Sequence, residues 1–394
     1  MATENLHRER SFLPMRRNPD RSEVVIIGGG VIGCSIAYHL SREGLTDILL
    51  LESQALASGA TGICPGGIRQ QFEREADCLF AKRSIRFWEQ INELLEPEDP
   101  FQFERSGYLF LADSAERMNR FAENVALQNR LGIPSTLLTP QEVGELLPAL
   151  QWRSVRGGSW CGEDGFLEDC HGVTAALAQR ASLRGARILY EEAIHIGRAD
   201  GLWEVGTKGG TRFCCRHLVL AAGLDSVPLA AQLGLRLPVT PQLRRLAFTT
   251  PHPERVMLPL VAAPERGFAG KQLSHGVFYL GWLQETGQED ELDFLEKSLR
   301  VGASLLPILA ALPVRRVLTG VYDTTPDHRP ILGEIHGLDR LYVATGFSGH
   351  GFMIAPAVGE ALAARITGGN TDLPLEAFSL SRFEETAPEE GLVI

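Results

Sequence analysis

The sequence predicts an α/β fold in which a Rossmann-like dinucleotide-binding domain, assembled from separated parts of the chain, carries an inserted α+β domain built on an antiparallel sheet. Three observations predict it. A β-branched run, a glycine cluster and a helical stretch follow one another over residues 23–42. The same order of strand, glycine loop and helix returns over 341–366, and residues 237–283 between them are rich in strand formers and prolines instead of regular βαβ repeats.

Glu23-Val24-Val25-Ile26-Ile27 reads as a buried strand, Gly28-Gly29-Gly30-Val31-Ile32-Gly33 as a tight turn, and Cys34 to Arg42 as the helix that follows. Glycines here let the backbone approach a pyrophosphate, and the helix N-terminus offers it free N–H groups and partial positive charge. Gly28, Gly30 and Gly33, with Val31 and Ile32 between them, are therefore candidate cofactor contacts. A second strand, Asp47 to Leu51, ends at Glu52, at about the twenty-residue offset where an acid accepts ribose hydroxyls. The fingerprint serves NAD and FAD alike, and the next segment separates them. Ala57 to Arg69 is a small, glycine-rich loop that lets backbone approach a flavin, so the domain is predicted to bind FAD, with Ser58, Ala60, Thr61, Gly67 and Ile68 as contacts.

Helical spacing predicts helices over 76–95 and 114–131, and Thr139 as an N-cap with Pro140 at N1 and Glu142 at N3 opens a short helix to Leu147. Phe101 to Ala112 reads as strand, as do Ile188 to Ile194, Leu202 to Thr207 and Arg212 to Leu220. The last of these closes on Ala221-Ala222-Gly223, and Ile194, Ala222 and Gly223 are further candidate contacts. Asp290 to Leu306 is a charged amphipathic helix. At the end come a strand, Leu341 to Thr345, the loop Gly346-Phe347-Ser348-Gly349-His350-Gly351, and a helix, Phe352 to Ile366, whose N-terminus suits negative charge on a reduced flavin. Gly346, Ser348, Gly349, His350, Gly351, Phe352 and Met353 join the contacts. The division that results is a tail over 1–21, an FAD-binding domain over 22–84, 151–233 and 317–370, a substrate domain over 85–150 and 234–316, and a C-terminal tail over 371–394.

Composition narrows the function classes. With 394 residues, 44% of them hydrophobic, the chain has enough apolar material for a large core. A net charge of -11 without a basic run argues against nucleic acid, and no apolar stretch is long enough to span a bilayer. The first 21 residues lack the apolar segment of a secretory signal. Seven cysteines with no CxxC pair point away from a metal site and a disulfide framework, and toward a cytoplasmic protein whose Cys34, Cys78, Cys161, Cys170, Cys214 and Cys215 are buried hydrophobes. Cys64 is the exception, in the loop next to the expected flavin. The charge runs Gln288 to Glu291 and Glu384 to Glu390 read as solvated faces.

Five segments in order carry a resemblance: Ser58-Gly59-Ala60-Thr61-Gly62 with Gly67-Ile68-Arg69-Gln70-Gln71, Asp164-Gly165, Leu220-Ala221-Ala222-Gly223, Tyr322-Asp323-Thr324-Thr325-Pro326-Asp327 with Pro330-Ile331-Leu332-Gly333, and Gly346 to Gly351. Over about residues 22–370 the chain resembles the glycine oxidase, sarcosine oxidase and D-amino-acid oxidase superfamily of FAD-dependent amine oxidoreductases. Within it, the chain looks most similar to the β-subunits of sarcosine and proline oxidases or dehydrogenases, with dimethylglycine-dehydrogenase-like enzymes as relatives. The resemblance implies a GR2-type FAD domain and hydride transfer from the carbon of an amine to flavin N5, leaving an imine that water hydrolyses.

It also implies roles for particular residues. Arg69 falls where sarcosine oxidases bind the substrate carboxylate, against the plainer reading of an ion pair. The family's second carboxylate ligand, a lysine, falls at Met353, and its oxygen-activating lysine falls near Tyr279, which favours a dehydrogenase over an oxidase. Lys271 is the substitute to weigh, with a solvated surface lysine as the blander reading. The cysteine that tethers flavin in the monomeric enzymes falls at Gly320, so FAD is expected to be non-covalent. Tyr279, Tyr322 and His350 are candidates for the substrate cavity, with Phe268, Tyr279 and Trp282 as an aromatic wall, and a purely structural place is the alternative for each.

The expected function is oxidation of a small secondary or N-methyl amino acid, sarcosine- or proline-like. A D-amino-acid dehydrogenase and an oxidase of a larger N-substituted amino acid are rivals in the same fold. A catalytically silent flavoprotein, acting as an assembly factor or as one subunit of a heteromeric oxidase or dehydrogenase, is the rival of another class. An NAD-dependent dehydrogenase is disfavoured by the C-terminal glycine loop.

Overall fold

The computed structural model describes residues 20–383; of the expected tail over residues 1–21, residues 1–19 lie outside them while Asp20 and Arg21 begin the first strand, and the acidic run Glu384 to Glu390 also lies outside. The strand Asp20–Ile27 buries Val24, Val25 and Ile26 completely, as a strand covered on both faces must. It runs parallel to Ile48–Glu52 on one side and to Arg212–Leu220 on the other. Leu341–Thr345 adds in parallel along the end of Arg212–Leu220, while the hairpin Ala193–Ala199 and Leu202–Thr207 pairs with its beginning. Arg187–Tyr190 completes the other edge.

The helices Val31–Arg42, Glu75–Glu89, Cys170–Leu183 and Gly351–Thr367 cover one face of this sheet in a single apolar core with Val24, Ile26 and Leu50. Val31–Arg42 and Gly351–Thr367 cross closely because Gly359 leaves room: a Cβ there would stand 2.4 Å from Ser35 Oγ. The joined ends of the chain therefore form one layer, which brings the two glycine loops to the same side of the sheet.

A second sheet of eight strands runs in the order Val314–Thr324, Thr240–Thr249, Phe278–Trp282, Phe268–Gln272, Leu260–Ala263, Tyr108–Ala112, Gly157–Cys161, Ser135–Leu138. It is antiparallel as expected, except where Leu260–Ala263 meets Tyr108–Ala112 in parallel. The helix Glu291–Leu305, capped by Asp290, buries Phe294 and Leu305 against the face that carries Phe268, Phe278 and Leu280. The other face of the sheet looks toward the first domain.

Three departures from the sequence reading have physical causes. Phe101 to Ala112 splits into Phe103–Glu104 and Tyr108–Ala112 because Gly107, at φ +83°, turns the chain between them. Gly157–Cys161 and all of Val314–Thr324 from Val317 onward fall in segments assigned by sequence to the first domain, yet they pair in the second sheet, where Gly158 admits Phe110 O within 2.5 Å of a Cβ position. Residues 371–383 form two short 3-10 turns that bury Phe378 under Phe80, and Arg382 pairs with Asp327, so that part of the expected C-terminal tail is packed structure.

Candidate active site

A groove of about 810 Å³ follows the carboxyl ends of the first sheet's parallel strands. Its geometry begins at Gly28, whose φ of +114° and 2.4 Å Cβ approach to Ala221 O exclude any side chain. Gly30 is the N-cap of Val31–Arg42, a helix with no acid in its first turn, so no carboxylate of that turn competes for its N-terminal N–H groups. Gly33 works differently: its Cβ would meet Gly28 O at 1.9 Å, so it serves the packing of helix on turn and does not line the groove. Glu52 closes the opposite wall, accepting the Gly29 N–H at 2.7 Å and the Gln54 N–H at 2.7 Å.

Val31, Ile32, Ser58, Ala60, Thr61, Ile194, Ala222, Gly223, Gly349, Gly351 and Phe352 also line this groove. Thr61 Oγ1 accepts the Val31 N–H at 3.2 Å, tying the glycine-rich loop to the first helix. The set fits FAD: a long slot, a helix N-terminus for the pyrophosphate, a carboxylate for ribose hydroxyls and a second helix N-terminus at Gly351. Gly320 lines the slot with no thiol, and a Cβ there would meet Ile63 Cδ1 at 1.6 Å.

A smaller cavity of about 120 Å³ opens between this slot and the second sheet. Ile63, Cys64, Tyr322 and Gly349 line both spaces. From the sheet face come Gln242, Arg244, Lys271, Tyr279 and Tyr108, and from the first domain Gly67, Arg69, Ser348 and Met353. Alternation along Phe268–Gln272 sends Ala269 and Lys271 into the cavity and Phe268 into the opposite core, so the expected aromatic wall loses Phe268 and keeps Tyr279 and Trp282.

Arg69 is buried and stands among rings: its guanidinium carbon is 4.0 Å from the Phe72 centroid, 5.4 Å from Phe110 and 6.0 Å from Tyr108. It donates to Gln71 O, and its Nη2 lies 3.2 Å from His350 Nε2. No described carboxylate pairs with it; burial works against its charge, and Asp164 is among the groups that favour it from a distance. Asp164 is itself fully buried, accepting the Gln70 N–H at 2.9 Å and Gln71 Nε2 at 3.1 Å, and burial raises its carboxyl to about 7. Burial also lowers Lys271 to about 8 and raises Tyr279 to about 12. The Cys64 thiol is lowered, first by its hydrogen bond with Cys170.

The sequence candidates thus divide. His350 lines neither space and instead steadies Arg69, with Phe72 edge-on to its ring. Ile68 is core, and Gly346, at φ +75°, gives its N–H to Asp323. Lys271, read from sequence as more plausibly a surface lysine, is 2% exposed, because strand alternation beneath Phe166 and Tyr279 turns it inward. Gln242 and Arg244 carried no local signal of a site, because they lie on a strand whose exposed and half-buried positions do not alternate; Asp164 was legible only as part of the Asp164-Gly165 resemblance.

The family described as DAO, FAD dependent oxidoreductase, matches residues 23–365. Mouse mitochondrial dimethylglycine dehydrogenase is 27% identical over 391 residues, 92% of this chain, and the chain spans only 44% of that relative's length. Bovine FAD-dependent oxidoreductase domain-containing protein 1 is 29% identical over 437 residues, covering 95% of this chain and 86% of that protein. The crystal structure of L-proline dehydrogenase from P. horikoshii superposes with a TM-score of 0.87 at 34% identity, covering 93% of this chain and 99% of that one. Among the described residues, no helix is long and apolar enough to cross a membrane.

Proposed function

The chain belongs to the DAO family of FAD-dependent oxidoreductases, and on that premise we propose that it oxidises the C–N bond of a small secondary or N-methyl amino acid, as a dehydrogenase with non-covalently bound FAD. One observation carries the proposal: a buried guanidinium, Arg69, lines the cavity that adjoins the cofactor slot, and no described carboxylate pairs with it. A buried charge without a counter-ion is costly, and a substrate carboxylate relieves that cost. Relatives named for dimethylglycine and proline support an amine whose nitrogen carries a second carbon.

The protein's own part is binding and orientation. Arg69, held by Gln71 O and His350, takes the carboxylate and fixes the neighbouring carbon; Tyr322 and Gly349 bound the passage to the slot. The second sheet walls the cavity, and its cations disfavour protonation of the substrate nitrogen, which must be neutral to give up a hydride. When bound, FAD supplies at N5 the hydride acceptor, and the imine left behind is hydrolysed by water. The test is the visible spectrum of the purified protein under anaerobic titration with sarcosine, L-proline, N-methyl and D-amino acids. Bleaching by a secondary or N-methyl amino acid, with slow recovery in air, is expected; a flavin reduced by none of them refutes the proposal, and rapid recovery in air identifies an oxidase instead.

A further inference from the structure

The cavity's charges do not balance for a substrate with one carboxylate. Arg69, Arg244 and Lys271 line it, and no Asp or Glu does. Arg245 beside them is a different case, because it pairs with the Glu285 carboxylate, while Arg244 donates only to Glu285 main-chain O. Lys271 is the least compensated of the three. The residue is 2% exposed, and its ammonium sits 4.1 Å from the Phe166 ring centroid and 5.2 Å from that of Tyr279 and forms no hydrogen bond or ion pair with any described residue. Lysines are almost never buried without a partner, and ring faces replace only part of the lost hydration.

The sheet places Lys271 and the ring beside Arg69 on strands of known spacing. Tyr108, against which Arg69 rests, pairs with Leu260, and Lys271 lies on the next strand, one position beyond the Val261 and Gly270 pair. Two strand spacings, roughly 10 Å, therefore separate the backbones of Tyr108 and Lys271. A small molecule that meets Arg69 at one end and Lys271 at the other, across one cavity of about 120 Å³, carries an acceptor at each end, as two carboxylates a few bonds apart do.

Resting on the reading of the site as an amine oxidoreductase, we infer that the substrate is a dicarboxylate: a secondary or N-methyl amino acid with one carboxylate on Arg69 and a second on Lys271. An N-methylated aspartate or glutamate, or an amine joining two short carboxylic acids, has this form. Arg244, on the far strand, adds to the field that draws such an anion in.

The holoprotein is tested in two arms. In the first, anaerobic flavin reduction is measured with N-methyl-DL-aspartate, N-methyl-DL-glutamate and iminodiacetate against sarcosine and N-methyl-DL-alanine. Dicarboxylates are expected to be favoured by about tenfold or more in kcat/KM, and Lys271→Met to cost them about tenfold more than it costs the monocarboxylates. In the second, unreactive glutarate and butyrate are titrated against the flavin spectrum, with glutarate expected to bind about tenfold tighter to the wild type and to lose that advantage in Lys271→Met. Monocarboxylates reducing the flavin as well as dicarboxylates, or a variant that loses both classes equally, overturns the inference and leaves the amine reading intact. Reduction by neither class refutes the amine reading, and the binding arm then decides the dicarboxylate site alone: it stands if glutarate outbinds butyrate through Lys271 and falls if it does not.

Discussion

Arg69 and His350 are 281 residues apart in sequence, and their side chains meet with Nη2 at 3.2 Å from Nε2. A guanidinium only donates, so the histidine nitrogen facing it accepts, and the loop that opens the last helix thereby aims a residue from the first domain's glycine-rich segment. The two ends of the chain meet at this contact.

Arg69→Gln should raise KM for any substrate carboxylate by about 30-fold, the worth of a charged hydrogen-bonded pair, with a smaller effect on kcat. Arg69→Lys should recover little, because a single ammonium cannot hold Gln71 O, His350 and a carboxylate together. His350→Leu frees the guanidinium without removing it and should raise KM by less, about tenfold. Steady-state kinetics on the three variants check the order; an unchanged KM in Arg69→Gln removes Arg69 from substrate binding.

Cofactor retention should depend on two residues in different ways. Gly28→Ala forces a side chain into Ala221 O at a positive φ, so the variant should purify with little flavin. Glu52→Gln keeps the shape and loses the charge that accepts the Gly29 N–H at 2.7 Å, so FAD affinity should fall by about tenfold with the fold intact. Flavin-to-protein absorbance ratios and circular dichroism separate these outcomes.

Asp164 gives stability a pH dependence. Burial raises its carboxyl from 3.8 to about 7, so the folded chain holds a proton there that the unfolded chain releases. The contribution is complete below about pH 4 and is lost as pH rises to about 7, an effect of the order of 2–4 kcal/mol. In Asp164→Asn that slope should vanish, making the variant gain on the wild type between pH 5 and pH 8. Urea unfolding of both proteins at the two pH values measures it; parallel curves would show that the carboxyl titrates as it does in the unfolded chain.

How much of this was legible beforehand follows from the range of each interaction. The turn at Gly28 to Gly33, the acid at Glu52 and the capping box of Thr139 and Glu142 are local patterns, and the structure has all three. The FAD slot was readable because its parts are contiguous glycine loops. Lys271 and Arg244 were not, because whether a strand residue faces core, cavity or water depends on sheet register, which is set by partners far along the chain. Phe268 was misplaced for the same reason: one position separates it from the cavity face. Asp164 acquires its character from complete burial, and the Gln70 and Gln71 groups that satisfy its carboxylate lie some 93 residues earlier.

Phe378 lies in the segment that composition presents as a tail, and it has no solvent exposure at all. Its ring meets Phe80 edge-on at 4.9 Å, and the Arg329 guanidinium covers it at 4.6 Å while Arg329 pairs with Asp77 at 2.9 Å. Arg382 then fastens the turn to Asp327 at 2.8 Å. Phe378→Ala should leave a cavity beside Phe80 in the main core and cost about 3–5 kcal/mol of stability. Arg382→Met, which strands the Asp327 carboxylate in a largely buried place, should cost less, about 1–3 kcal/mol. Thermal unfolding with FAD bound checks both, and a Tm unmoved in Phe378→Ala would show that residues 371–383 do not pack on the domain.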